Sequence, residues 1–370
     1  MIKNVIAFSN NEDAASAFEE VKDTIKRAGS PLLIIFSSVV KDFEFYTKKF
    51  ALNFKDTQVI GATSSTIFSS CGVTERSISA LAVYDGIECF GGVLFEIKKN
   101  PMKYAPTVEE AVRKFKNLKN IVCLEFSTSL SFCEELVQDT YRSVLEHRQI
   151  QVIGGTAGSE DMYAPTLVSL DGEVFTEASV FVLIKNLGGR IITYKENIFK
   201  ATGHFFTATD VDCDERIVYQ YDYKPAQEAL ALALNVPVSE IKEELRERPV
   251  GRITGKEVYI TDTRSFNDDG SITYQARIYN RTRLALLEVS DPEKVWNETA
   301  ANISYEVPNP SFTLCVNCYG RTLYFKKNGI FDAFVSKLAG EYGNVFGITG
   351  HGEQINYEHF NQTMVLAVFE

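Results

Sequence analysis

Cys315-Val-Asn-Cys318 has the spacing of a metal-binding cysteine pair, and His351-Gly-Glu353 has the His-x-Glu order of zinc-dependent deaminases. A structural zinc site needs a second cysteine pair, which the sequence lacks. The deaminase order needs the cysteines after the histidine and a proline where Leu314 stands. Neither a metal nor any other cofactor is therefore expected. A nucleophile–base pair remains, with Cys318 activated by His351 or His359, as in a Cys- or metal-dependent hydrolase that also uses Glu353. The plainer alternative makes Cys315 and Cys318 strand residues, because cysteine is buried more often than it is catalytic. Arg321 could clamp a carboxylate with its planar fork, and Glu353 could accept hydrogen bonds from a ligand amine. Facing one pocket, the two would suit an amino acid. Their plainer readings are a surface ion pair of little worth and an exposed carboxylate in a turn.

Two further segments, Gly61-Ala-Thr63 and Gly154-Gly155-Thr156, each follow an apolar strand-like run. A glycine turn there would expose backbone N–H groups at the carboxyl edge of a sheet, where α/β proteins bind ligands. The alternative is a tight turn with no ligand. Known nucleotide fingerprints are absent. Gly350-His-Gly352 has Ile355 where the third glycine belongs, and Gly251 to Lys256 is one residue short of a P-loop and lacks its Ser/Thr.

The elements that must position these residues alternate between strand and helix. Asn4–Phe8, Leu32–Phe36 and Val59–Gly61 read as strands, with helices over Asn11–Arg27 and Phe43–Phe54. The order then repeats: a helix over Val108–Leu118, a strand Ile121–Phe126, a helix Ser131–His147 and a strand end Gln151–Gly154. Ile78–Tyr84 with Cys89–Ile97, and Ser179–Ile184 with Arg190–Tyr194, read as antiparallel pairs around Asp85-Gly86 and Gly188-Gly189. Gln58-Val-Ile-Gly-Ala-Thr63 and Gln151-Val-Ile-Gly-Gly-Thr156 stand 93 residues apart, which implies an internal duplication of a βαβ-type unit. The pattern changes near Asn197. Beyond it come helices over Pro225–Asn235 and Val238–Arg248, a hairpin around Asn267–Gly270, a strand Phe312–Cys318, a broken helix Leu323–Leu338 and late strands Val345–Ile348 and Thr363–Phe369.

The chain has 370 residues, more than the roughly 250–300 at which one core stops growing, so two domains are expected. A hydrophobic share of 45% rules out disorder as the main state. Against 38 Lys and Arg stand 49 Asp and Glu, and a net charge of -11 repels phosphate backbones, which disfavours nucleic acid as a partner. No apolar run approaches the roughly 18 residues of a membrane helix, and the opening apolar run is too short for a signal peptide. The sequence therefore reads as cytoplasmic. Its seven cysteines, an odd number partly within apolar runs, fit a reducing compartment.

Val59-Ile-Gly-Ala-Thr63, Gly154-Gly-Thr-Ala-Gly158, Cys318-Tyr-Gly-Arg321, Gly347 to Glu353 and His359-Phe-Asn-Gln-Thr363 occur in that order. Together they resemble the FIST family, with N-terminal and C-terminal FIST domains, over nearly the whole chain. Thr322 and Ser159 depart from the family pattern, which often has glycine and an acidic residue there. The resemblance implies a mixed α/β (α+β) fold of two domains whose mixed sheets are flanked by helices. Residues 1–197 would be the N-like domain, duplicated over about 1–98 and 99–197, and 198–370 the C-like domain. It also implies a non-enzymatic sensory role in signal transduction. Bacterial members are proposed to bind small ligands such as amino acids and to act through a signalling partner. The expected ligand-binding set is Gly61, Thr63, Gly154, Gly155, Thr156, Cys318, Arg321, Gly352, Glu353 and Asn361, lining an interdomain cleft. A eukaryotic relative joined to an F-box points to a third role, a protein-interaction scaffold.

Overall fold

The apolar run at Leu32 forms a strand, Leu32–Ser37, in which every residue is buried, and Ile121–Ser127 and Phe312–Cys318 are buried in the same way. Side chains that are apolar on both faces require layers on both sides of a sheet. The structure is a computed structural model that describes residues 2–25, 30–129, 132–161, 164–255 and 257–370. Three expectations lie outside the described residues: the last two residues of the first helix at Lys26 and Arg27, the helix start at Ser131, and Lys256. The fold is mixed α/β, with helices on mixed sheets.

The chain divides into two compact units. One comprises residues 1–195, 298–359 and 364–370, the other residues 196–297 and 360–363. Most of the sequence after Asn297 thus packs with the N-terminal part, whereas the sequence reading assigned everything from residue 198 onward to a second domain.

The first unit contains three six-stranded sheets that share one strand order. The first runs Lys3–Phe8, Ile78–Asp85, Leu32–Ser37, Gln58–Thr63, Val168–Leu170, Glu173–Phe175. The second runs Ile87–Phe95, Ala178–Asn186, Ile121–Ser127, Gln151–Thr156, Gly352–Ile355, Glu358–Phe360. The third runs Ile191–Asn197, Thr363–Phe369, Phe312–Cys318, Asn344–Gly350, Ile67–Ser69, Gly72–Thr74. In each, the third and fourth strands are parallel and the pairs on either side of them antiparallel. A helix precedes each central strand (Ala14–Thr24, Ala105–Arg113, Pro292–Glu306), and helix follows it in each case.

The duplication is therefore a triplication. Asn344-Val-Phe-Gly-Ile-Thr349 is the third copy of the Gln-Val-Ile-Gly-x-Thr segment. Its glycine lies 193 residues after Gly154, because residues 196–297 intervene as a unit of their own. The copies are also interleaved. Each sends its short hairpin onto a sheet of another copy: Ile67–Thr74 onto Asn344–Gly350, Val168–Phe175 onto Gln58–Thr63, and Gly352–Phe360 onto Gln151–Thr156.

Interleaving also corrects the two expected hairpins. Ile78–Asp85 and Ile87–Phe95 do not pair; they lie in different sheets, and Gly86, at φ +85°, turns the chain from one to the other. The same holds for Ala178–Asn186 and Ile191–Asn197. Lys3–Phe8 takes the place that a strand after Thr363–Phe369 would occupy. Three bonds mark the equivalence: Gly91 N–H donates to Gln58 Oε1 (2.8 Å), Thr193 Oγ1 to Gln151 Oε1 (3.0 Å), and Asn344 Nδ2 to Asn4 Oδ1 (2.8 Å).

The repeated glycine has one steric cause in all three copies. A Cβ on Gly61 would lie 2.6 Å from Ile35 Cγ1 and 2.8 Å from Ser169 Oγ. On Gly154 it would collide with the Glu125 carbonyl oxygen, and on Gly347 with the Phe68 ring. Neighbouring strands lean over the glycine and fill its side-chain space.

The second unit forms its own sheet, in the order Glu257–Thr261, Val250–Thr254, Arg283–Val289, Phe199–Asp212, Ile217–Tyr221, Ile272–Tyr274, Thr263–Phe266. Ala226–Leu234 and Ile241–Glu247 complete its core with Leu230, Leu234, Ile241 and Leu245. The hairpin expected around Asn267–Gly270 is present as the pairing of Thr263–Phe266 with Ile272–Tyr274.

Gly154→Ala should destabilise the protein by at least about 1–3 kcal/mol through overpacking. Gly188→Ala, with nothing within 4 Å of the added Cβ, is the matched control. Urea denaturation of both variants measures the difference, and equal midpoints would refute the steric account.

Candidate functional site

Gly61, Gly154 and Gly155 are strand residues rather than turn residues. Gly61 pairs with Ile35 and Ser169, Gly154 with Glu125 and Gln354, and Gly155 with Phe126 and Glu353. Their backbone groups belong to the ladders, so the expected N–H cradle is not formed by them. Thr63 and Thr156 end these strands and are buried, as is Thr349, one residue before the end of the equivalent strand of the third copy. Gly158 N–H donates to the Thr63 carbonyl (2.9 Å), His351 N–H to the Thr156 carbonyl (2.9 Å), and Ser64 Oγ to the Thr349 carbonyl (3.0 Å). The three copies thus meet at their carboxyl strand ends.

Arg321 and Glu353 are both 0% exposed, which overturns the surface ion pair and the exposed turn carboxylate. Arg321 lies in the first turn of the helix Tyr319–Lys327 that Cys318 caps. Its guanidinium lies against Phe325 (5.1 Å) and Phe334 (5.7 Å), two rings that also pack on each other at 5.0 Å, in a buried cation–π cluster. Glu353 lies within the strand Gly352–Ile355. Cys318 ends its strand opposite Gly350 and is buried. Among the described residues no group of three or more His, Cys, Asp or Glu is placed to hold a metal ion, and the seven cysteines form no disulfide.

Gly352 is small because a Cβ there would collide with the His359 ring. His359 Nδ1 shares a 3.0 Å hydrogen bond with Gln354 Nε2, which also donates to Thr156 Oγ1 (3.0 Å). Asn361 belongs to the second unit, where its Oδ1 accepts from Asp262 N–H (3.2 Å) and neighbouring Gln362 donates to Asp262 Oδ2 (3.0 Å). Burial pushes that Asp262 carboxyl up to about 6. Nine of the ten expected site residues thus fall in the first unit.

A groove of about 500 Å³ opens at the carboxyl end of Leu32–Ser37 and the start of helix Val40–Asn53. None of the ten expected residues lines it. Its walls are the turn Ser38–Asp42, Glu75 and Arg76 from the first copy, and Ser159–Asp161 from the second. Five carboxylates (Glu12, Asp42, Glu75, Glu160, Asp161) and two cations (Lys41, Arg76) line it. The Ser159–Asp161 wall is tied to the third copy. Ser159 N–H points at His351 Nε2 (3.5 Å), and Tyr319 Oη donates to the Glu160 carbonyl (3.2 Å). The Tyr319 and His351 rings pack edge to face at 5.4 Å. Burial pulls His351 down to about 4, so its imidazole is neutral near pH 7 and Nε2 can accept. The Cys-Tyr-Gly-Arg and Gly-His-Gly motifs thus brace the groove wall.

Sequence reasoning missed the groove, since its lining comes from turns with no shared motif. It also passed over Glu125, seen only as one residue of an apolar run. The signal was available: a lone carboxylate inside Ile121-Val-Cys-Leu-Glu-Phe126 must be buried.

Residues 31–224 match the family model of the FIST N domain, more than half of the chain. The chain belongs to the FIST family. FIST domains are sensory domains of signal transduction. A comparison with curated proteins finds no match. Among the described residues of this FIST protein, no helix is long and apolar enough to cross a membrane.

Two outcomes follow. A thiol reagent should label exposed Cys71 well before buried Cys318 under native conditions. Faster labelling at Cys318 would restore the nucleophile reading. His351 is depressed in the folded state, so its stabilising contribution is complete above about 6.5 and is lost as pH falls toward about 4. His351→Gln should flatten thermal stability over that window; an unchanged slope would refute the burial argument.

Proposed function

We propose that this FIST protein is a non-enzymatic sensor that binds a small zwitterion, such as an amino acid, in the groove beside Ser38–Asp42. The supporting observation is the groove's place and lining: the carboxyl end of a parallel strand, a helix start, two cations and five carboxylates. A ligand carboxylate would meet Arg76, Lys41 and the first-turn N–H groups of Val40–Asn53. A ligand ammonium would meet the acidic wall of Glu160 and Asp161.

In this reading the fully buried Arg321 and Glu353 act behind the groove rather than on the ligand, and the Gly-x-Thr segments hold the frame. Ligand contact with Ser159–Asp161 would pull on Tyr319 and His351, and through them on the strand ends of the third copy. A protein partner in the cytoplasm would read that change.

A thermal-shift screen against the amino acids tests the proposal. A ligand at about 100 times its Kd stabilises by about 2.7 kcal/mol, an easily seen shift. Arg76→Ala should weaken the response of a carboxylate-bearing hit by about tenfold, since its charge is exposed and replaceable. A flat screen, or a hit indifferent to both Arg76→Ala and Asp161→Asn, would sink the reading.

A further inference from the structure

The second copy departs from its sisters at one core position. Opposite the repeated glycine, the central strand carries Ile35 in the first copy, Cys315 in the third, and Glu125 in the second. Glu125 is 0% exposed. Its Oε2 accepts from Ser127 Oγ (2.9 Å) and Ser179 Oγ (3.0 Å), and its Oε1 from Gln138 Nε2 (3.0 Å). Tyr141 Oη lies 2.8 Å from Ser179 Oγ. Gln138 and Tyr141 stand on the helix Glu134–Leu145, which Val137, Tyr141, Val144 and Leu145 pack into the core. Gln138 has no partner for its own buried Oε1.

We propose that Glu125, Ser127, Ser179, Gln138 and Tyr141 form a proton-operated latch that sets how firmly helix Glu134–Leu145 is held on strand Ile121–Ser127. The ligand of this site is the proton. As a carboxylate, Glu125 accepts from the Gln138 amide nitrogen. As a carboxyl, it carries hydrogen on Oε1 and must donate. Rotation of the Gln138 amide then presents Oε1, the atom that lacks a partner, as the acceptor. The bond between helix and strand thus survives in either state, but only the carboxylate leaves a charge in the core.

The groups around it act in both directions: burial and the Glu134 charge favour the neutral form, and the hydrogen bonds from Ser127, Ser179 and Gln138 favour the carboxylate. Glu134 bears on Glu125 from the helix, and the Glu125 charge in turn raises the Tyr141 phenol on that helix and the Cys123 thiol on its own strand. The paired strands contribute Ser179 and Gly154 beside it. Burial, opposed by the three hydrogen bonds, raises the carboxyl to about 7. With the folded value above the ordinary 4.5, the latch's stabilisation is complete below about 4.5 and is lost as pH rises through about 7.

Hydrogen exchange of the full chain, read on the amides of helix 134–145 and corrected for intrinsic rates, tests the latch. Protection should fall about tenfold or more as pH rises through about 7. The infrared band of a protonated carboxyl should vanish with the same midpoint. Glu125→Gln should remove both the band and the inflection. Gln138→Leu should keep the band's titration while uncoupling the helix from it. Flat wild-type protection across this range, an inflection that persists in Glu125→Gln, or a band whose midpoint does not follow helix protection would each overturn the proposal.

Discussion

Everything in the first unit hangs on a missing methyl group. At Gly61, Gly154 and Gly347 the neighbouring strands approach so closely that a side chain on the glycine and the side chains beside it cannot coexist. The space is filled by Ile35 and Ser169, by Glu125, and by Phe68 and Cys315. That close approach lets the hairpin of one copy dock on the sheet of another. It also brings the three threonine strand ends together. The segment that looked like a ligand cradle is a packing device used three times.

Within such a frame, the positions at which the copies differ are those free to do something else. The first copy keeps a groove at its strand end, walled by the second and braced by Tyr319 and His351 of the third. In the second copy, a carboxylate stands where its sisters have apolar or thiol side chains. In the third, the region after the strand is filled by Arg321 against a packed pair of phenylalanine rings. One repeat thus carries the groove, one a buried carboxylate and one a buried arginine packed on aromatic rings.

Much of this architecture was legible in the residues. Apolar runs and helical spacing gave the central strands and most helices, and Gln-Val-Ile-Gly-x-Thr exposed two of the three copies. The third was hidden because Phe346 replaces isoleucine and a whole unit intervenes. The hairpins Ile67–Thr74, Val168–Phe175 and Gly352–Phe360 were missed because three- or four-residue strands carry too few alternations to register. The strand pairs at Gly86 and Gly188-Gly189 were misassigned because local turn chemistry cannot show which sheet the next strand joins. Among the site residues, type and order were readable but depth was not. Arg321 and Glu353 look solvent-facing by composition and are buried by tertiary packing.

The strand Lys3–Phe8 carries a consequence for how the protein is made. It stands where the third copy's own last strand would stand, bonded through Asn4 to Ser311 and Asn344. Lys3–Phe8 pairs early with Ile78–Asp85, but a nascent chain leaves edges of Ile67–Ser69 and Gln151–Thr156 unpaired until Asn344–Ile355 emerges. Ring closure has high contact order, so assembly is slow relative to local helix formation, and open edges invite pairing with other chains in the meantime. Once closed, neither flank can peel away without breaking the seam between the first and third copies. The same interleaving that leaves edges open during synthesis ties the copies together in the finished molecule.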